Sequence, residues 1–175
     1  MSSRMKLPPL RPITEDNPYK LVFVCLGNIC RSPTGEGVFQ HIVNEAGFGN
    51  YFEVDSAGTS AFHVGQPANS KSSDVADAHG VQLKSRARQF DKEDLDYYDL
   101  IIPMDNENRD NIYAMADSEE QKEKVQLLRE YDPNPEDGQV PDPYYGGLEG
   151  FENVYQIVER SCKNLLEQLK PQVSP

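Results

Sequence analysis

Four β-prone residues, Leu21-Val22-Phe23-Val24, run directly into the polar segment Cys25-Leu26-Gly27-Asn28-Ile29-Cys30-Arg31, and a helix signal follows at once. This junction constrains the fold more than any other stretch. A strand that is apolar without alternation is buried on both faces, as in a parallel sheet covered by helices. Ser32 suits a helix N-cap and Pro33 the first helical position. Val38, Phe39, Ile42, Val43 and Ala46 then recur at helical spacing, and Gly47 is placed to stop the helix. A tight strand-to-helix turn lies at the carboxyl edge of such a sheet, where α/β folds bind ligands.

The alternation continues down the chain. Residues 52–57 read as a strand, 69–80 as a helix, 100–102 as a buried strand, 106–116 as a helix and 125–128 as a short strand. Phe151, Val154, Tyr155, Val158, Cys162, Leu165 and Leu169 form the apolar stripe of a last helix. The expectation is a single-domain α/β fold. Its central sheet is mostly parallel and four-stranded, with helices on both faces, and an anion-binding loop joins the first strand to the first helix. Residues 1–19, with four prolines and few large apolar side chains, read as a flexible leader, 20–170 as the domain and 171–175 as a C-terminal tail. Residues 132–142 form an acidic, proline-rich loop.

Charge narrows the partners. A formal net charge of -12 argues against nucleic acid and against anionic membranes. No apolar run reaches membrane-spanning length, and the first twenty residues lack the apolar stretch of a signal peptide. Three cysteines do not make a disulfide scaffold and fit a reducing compartment, so a cytoplasmic monomer is expected. An acidic protein that binds an anion must build its own local positive field, and the Cys25–Arg31 loop is where the residues allow one.

Cys-x5-Arg spacing alone is weak, but its position between strand and helix turns free backbone N–H groups inward around a tetrahedral anion. Gly27 and Asn28 tolerate the left-handed backbone of a curled loop. Arg31 can grip two phosphate oxygens at once. The same field favours the thiolate form of Cys25, the nucleophilic one, and phosphoryl transfer to sulfur is the chemistry implied. A phenolic leaving group needs a proton. Asp142, in Pro141-Asp142-Pro143-Tyr144-Tyr145, is the candidate donor: prolines stiffen its loop, and Tyr144 and Tyr145 can wall a slot for an aromatic ring.

Together these segments resemble the low-molecular-weight protein tyrosine phosphatases. Val24 to Pro33 is similar to that family's signature loop, and Asp142-Pro143-Tyr144-Tyr145 to its general-acid motif. Asp55-Ser56-Ala57-Gly58-Thr59 and Met104-Asp105 are also similar, so the likeness runs from about residue 20 to 169. The resemblance implies Cys25 as nucleophile, Arg31 as phosphate clamp, and Asp142 as acid and then base, with a cysteinyl-phosphate between two steps. Leu26, Gly27, Asn28, Ile29, Cys30 and Arg31 would form the phosphate loop. It further implies that Ser32 hydrogen-bonds the Cys25 sulfur, that Asn28 braces the loop against Ser56, and that Cys30 is a redox partner of Cys25. Leu26, Phe62, Tyr144 and Tyr145 would wall the pocket, with Phe62 where many members carry Trp. Substrates would be phosphotyrosine proteins or peptides, with phosphate, sulfate or vanadate as site anions and no cofactor or metal.

Three alternatives stand beside this reading. A branch of the family acting on phosphoarginine carries Thr at the position of Ile29, and Ile favours the tyrosine branch. An arsenate reductase of the same fold needs further resolving cysteines, and beyond Cys30 the chain has only Cys162. A phosphotyrosine-binding pseudoenzyme would not need nucleophile, clamp and acid together. His41, His63 and His79 show no metal-ligand spacing, Cys162 falls on the apolar stripe, and the acidic run 117–123 reads as a solvated face. Gly35 and Gly37 depart from the family's alanine-rich helix start and are expected to loosen that turn by roughly 0.5–1 kcal/mol each.

Overall fold

The computed structural model describes residues 7–144 and 146–174. Strand β1 (Tyr19–Cys25) is central, with β2 (Phe52–Gly58) on one side and β3 (Leu100–Pro103) on the other, both parallel to it. Alternation along β1 divides the core. Leu21 and Phe23 face a cluster that includes Phe39, Val43, Val158 and Leu165; Val22 and Val24 face one made by Phe90, Leu95, Tyr98 and Ile112. The first layer is built by α1 (Arg31–Glu45), α2 (Ser70–Ala78) and a helix of 22 residues near the C-terminus. The second is built by the short α3 (Asp94–Tyr97) and by α4 (Asn106–Met115). A further short helix, α5 (Glu119–Glu123), starts at the Ser118 cap, and the long C-terminal helix is α6 (Leu148–Leu169). Among the described residues, no helix is long and apolar enough to cross a membrane.

The sheet has three strands, not four. The expected strand at 125–128 contributes one parallel bridge, Ile101 with Val125, held by Ile101 N–H to the Lys124 carbonyl and Gln126 N–H to the Ile101 carbonyl. The chain then leaves the sheet. Glu130 Oε2 accepts the Leu127 N–H at 2.7 Å, and residues Leu128–Tyr131 wind into a 3-10 turn. A local side-chain acceptor has replaced the next ladder bond.

The described part of the leader is packed, contrary to the expectation of a mobile segment. Ile13 is fully buried and forms a parallel bridge with Val173, its N–H donating to the Gln172 carbonyl at 2.8 Å. Arg11 pairs with Asp99 at 2.8 Å, and the Tyr19 hydroxyl donates to the Pro9 carbonyl. One buried isoleucine and one ion pair close the bottom of the sheet with the C-terminal tail. The proline density that suggested mobility instead marks an extended strap.

The two glycines of α1 have a packing role. A Cβ on Gly35 would fall 2.6 Å from the Phe23 ring, and one on Gly37 would fall 2.5 Å from Leu83. The helix therefore lies closer to β1 at Gly35, and to the segment around Leu83 at Gly37, than an alanine-bearing helix could, which offsets the propensity cost.

Candidate active site

Parallel pairing in register places Cys25, Gly58 and Pro103 along the carboxyl side of the sheet, and the loops beyond them converge. The loop after Cys25 is clamped from both sides. Thr59 and Ser60 donate their N–H groups to the carbonyls of Cys25 and Leu26, and Asn69 N–H donates to the Ile29 carbonyl at 2.7 Å. Asn28 sits at φ 57, the left-handed conformation expected at that point of a curled loop.

Ser32 is not the helix cap. Helix α1 already includes Arg31, and its first turn has no side-chain cap. The Ser32 hydroxyl is used elsewhere, 3.1 Å from Cys25 Sγ. A count of hydrogens gives the direction of that contact. Asn28 Nδ2 donates to Ser32 Oγ at 2.8 Å and to Ser56 Oγ at 3.0 Å, so Ser32 accepts there and keeps only its own proton. The Ala57 carbonyl is the more distant alternative at 3.4 Å, so the proton is directed at the sulfur. Asn28 Oδ1 in turn accepts from Arg88 N–H.

Arg31 is almost fully buried, and its orientation is set by two acceptors. Nη1 donates to Asp105 Oδ2 at 2.7 Å and to the Val140 carbonyl at 3.0 Å, which uses both of its hydrogens. Nε and Nη2 remain as a two-pronged donor. Nη2 stands 3.6 Å from Asp142 Oδ2. Burial works against the guanidinium charge, but Cys25, Asp105 and Asp142 outweigh it and hold the group above its ordinary value.

Cys25, Arg31 and Asp142 share one cavity of about 380 Å³, with Leu26, Gly27, Ile29, Cys30, Phe62 and Tyr144 also on its walls. Phe62 is 84% exposed, Leu26 44% and Tyr144 41%, so these apolar groups form a rim rather than a floor. Tyr145 lies outside the described residues. Asp142 is half-exposed and its Oδ1 accepts the Tyr144 N–H at 3.0 Å. Its loop is pinned from below by buried Arg129, which donates to Asp132, to the Asn134 carbonyl and to the Gln139 carbonyl. Cys30 is buried, and that burial, with Cys25 beside it, pushes its thiol up to about 12.

Three groups at or behind the site had no role assigned from sequence. Asp105 was noted only within a similar dipeptide, yet it follows the end of β3, and the carboxyl-edge rule that singled out Cys25 applies to it as well. His63 lines the cavity, its Cδ2 2.9 Å from where a Gly27 Cβ would stand and its Nδ1 2.9 Å from Gln66 Oε1; no spacing in the sequence marks it. Glu36 lies one helical turn beyond Ser32 and accepts from the Ser56 hydroxyl at 2.6 Å.

A family model described as low molecular weight phosphotyrosine protein phosphatase matches residues 20–174. A low molecular weight protein-tyrosine-phosphatase of Streptomyces coelicolor is 42% identical over 157 residues, covering 89% of this chain and 96% of the relative. The human low molecular weight phosphotyrosine protein phosphatase is 37% identical over 157 residues, covering 89% and 99%. A crystal structure of a protein tyrosine phosphatase from Entamoeba histolytica superimposes with a TM-score of 0.84 at 37% identity, covering 87% of this chain and 97% of that one.

Proposed function

Because this chain belongs to the low molecular weight phosphotyrosine protein phosphatase family, we propose that it hydrolyses phosphotyrosine in proteins or peptides through a cysteinyl-phosphate on Cys25. The observation that carries the reading is the shared cavity of Cys25, Arg31 and Asp142. In the first step the Cys25 thiolate attacks phosphorus and the bond to the tyrosyl oxygen breaks. Arg31 Nε and Nη2 hold two phosphoryl oxygens, and the loop N–H groups take the charge that spreads over them. Asp142, protonated, gives its proton to the departing phenolate.

In the second step Asp142, now a carboxylate, accepts a proton from water as that water attacks phosphorus, and the thiolate leaves. Ser32 stabilises the sulfur as nucleophile and as leaving group by the same hydrogen bond. The rim of Leu26, Phe62 and Tyr144 suits an aromatic ring entering edge-first, which fits a phosphotyrosyl side chain better than the short phosphoserine. Phosphate, sulfate and vanadate would occupy the loop as competing anions. A Cys25–Cys30 disulfide, formed if the nucleophile is oxidised, would protect the sulfur from irreversible oxidation.

The test is turnover of a phosphotyrosine peptide in EDTA and reductant by the wild type and by Cys25→Ser. Hydrolysis that vanishes in the mutant, with a burst of tyrosine ahead of phosphate release in the wild type, supports the covalent route. Absence of hydrolysis by the wild type overturns it. Phosphoarginine and phosphoserine peptides run alongside assign the branch.

A further inference from the structure

A cleft of about 660 Å³, larger than the cavity that holds Cys25, lies between α1 and the chain from Asp77 to Ser85. One wall is a stripe of α1 made by Glu36, Gln40 and Asn44, spaced four residues apart and all polar. The walls meet where Gly37 packs on Leu83 and Val81, but beside that seam the polar stripe faces solvent. Gln40 Nε2 donates to Asn44 Oδ1 at 3.0 Å, so the side-chain oxygen of Gln40, a lining residue, can still accept.

Glu36 joins the cleft to the nucleophile. Its Oε1 accepts the Ser56 proton, Ser56 accepts from Asn28, Asn28 donates to Ser32, and Ser32 stands against Cys25 Sγ. The Asn28 amide spends one hydrogen on each serine, so each serine proton is pushed outward, one to the carboxylate and one to the sulfur. The chain thus ends at a carboxyl group on one side and at the Cys25 sulfur on the other, supported by one amide group.

Among the described residues Glu36 forms no ion pair. The cation nearest to it in effect, Arg88, is committed to Asp55 and Asp94. Asp55 adds negative charge on the same side, and Asp77 adds more at the cleft rim. His41 and the exposed Lys84 are the other titratable groups on the walls. Glu36 therefore lines a roomy cleft with no ion pair of its own among the described residues, and the one cation on the walls, Lys84, is exposed.

We propose that this cleft is a regulatory binding site for a guanidinium group, which pairs with Glu36 and thereby sets the hydrogen-bond chain that ends at Cys25. Guanidinium fits better than ammonium: its planar fork matches a carboxylate at two points, and it sheds water more readily on entering a cleft. Bound guanidinium keeps Glu36 ionised, which holds the Ser56 proton on the carboxylate and the Ser32 proton on the sulfur. Binding itself does not depend on the catalytic reading above; only its consequence at Cys25 rests on that reading.

The probe is agmatine, titrated calorimetrically into wild type, Glu36→Gln and Asp77→Asn. Saturable binding that weakens at least ~10-fold in Glu36→Gln and several-fold in Asp77→Asn is expected, since an ion pair is lost in the first and a rim charge in the second. Asp77→Asn should leave turnover without agmatine unchanged. At about pH 5.5, where Glu36 is partly protonated, saturating agmatine should speed iodoacetamide labelling of Cys25 at least ~2-fold in wild type and not in Glu36→Gln. A blocked Gly-Arg-Gly peptide in parallel distinguishes the source: tighter binding of the peptide assigns the cleft to an arginine side chain of a partner, tighter binding of agmatine to a small metabolite. No saturable binding to wild type at about 10 mM, weaker than ~2 mM affinity in effect, overturns the proposal. So does equal binding by Glu36→Gln, or by putrescine as tightly as agmatine. If Glu36→Gln fails to fold, the Asp77→Asn and putrescine comparisons still decide. Binding and labelling are read without phosphotyrosine turnover, so failure of the catalytic reading would show separately.

Discussion

Arg31 Nη1 lies 2.7 Å from Asp105 Oδ2, a contact between the Cys25–Arg31 loop and the second residue beyond β3 that decides which guanidinium edge faces the pocket. Asp105 has a second task, since its Oδ1 caps α4 by accepting from Asn108 N–H at 2.8 Å. Asp105→Asn can keep the cap through its carbonyl oxygen but turns an NH2 group toward Arg31. The expected outcome is a vanadate inhibition constant raised by at least ~10-fold with α4 still formed, because a partly buried charge has lost its partner. Vanadate inhibition measured beside far-UV circular dichroism checks both halves.

In the proposed mechanism Asp142 serves the leaving group rather than binding phosphate. Asp142→Ala should lower kcat on phosphotyrosine by about 10²–10⁴-fold. The loss should shrink steadily for aryl phosphates whose phenols are more acidic, because they depart without a proton. A linear free-energy plot of log kcat/KM against phenol pKa, which reads the first step alone, measures this. A uniform loss across the series would assign Asp142 a structural role.

Much of this site was legible because strand, loop and helix are contiguous in sequence. The buried run before Cys25 located the sheet edge, and Asn28 at φ 57 is the kind of residue such a curl takes. What escaped notice depends on contacts between distant segments. Nothing near Val125 reveals that Glu130 will capture the next N–H and end the fourth strand after one bridge. Residues 1–19 read as a leader because the partner of Ile13, Val173, is 160 residues away. Ser32 followed the rule for a helix cap, yet a sulfur and an amide compete for its hydroxyl and win.

The three thiols should separate by reactivity. Burial pushes Cys30 up to about 12 and pushes Cys162 higher still, so both are neutral thiols at ordinary pH. Cys30 shares the cavity and a hydrogen bond with Ser72, but its burial outweighs that bond, whereas Cys25 heads the loop with the Ser32 hydroxyl 3.1 Å from its sulfur. Brief treatment with iodoacetamide near about pH 6.5 should label Cys25 at least ~10-fold faster than either of the others, with phosphate protecting it. Peptide mapping by mass spectrometry reads the sites directly.

The leader strap can be tested without disturbing chemistry. Ile13 is fully buried at the opposite end of the sheet from Cys25. Ile13→Ala should cost about 2–5 kcal/mol in urea denaturation. Turnover of a phosphotyrosine peptide by the folded fraction should stay within about twofold of wild type, since ΔΔG values at distant sites do not couple strongly. A large loss of kcat at unchanged fold would mean that the strap reaches the site.

Glu36 gives a pH dependence whose sign follows from its shift. Burial raises its carboxyl from 4.5 to about 6, with Asp55 adding to the rise while Ser56 and Arg88 oppose it. The native state therefore holds a proton that the unfolded state has lost between those two values, and stability from this group falls as pH rises through that window. Above the folded value the penalty is constant, up to about 2 kcal/mol. Glu36→Gln keeps an acceptor for Ser56 and removes the charge. The stability difference between mutant and wild type should therefore move in the mutant's favour from about pH 4.5 to 6.5 and level off above it. Chemical denaturation of both proteins across that range measures the difference, in which all other titrating groups cancel. A difference independent of pH would mean that Glu36 ionises as freely in the native protein as in the unfolded chain.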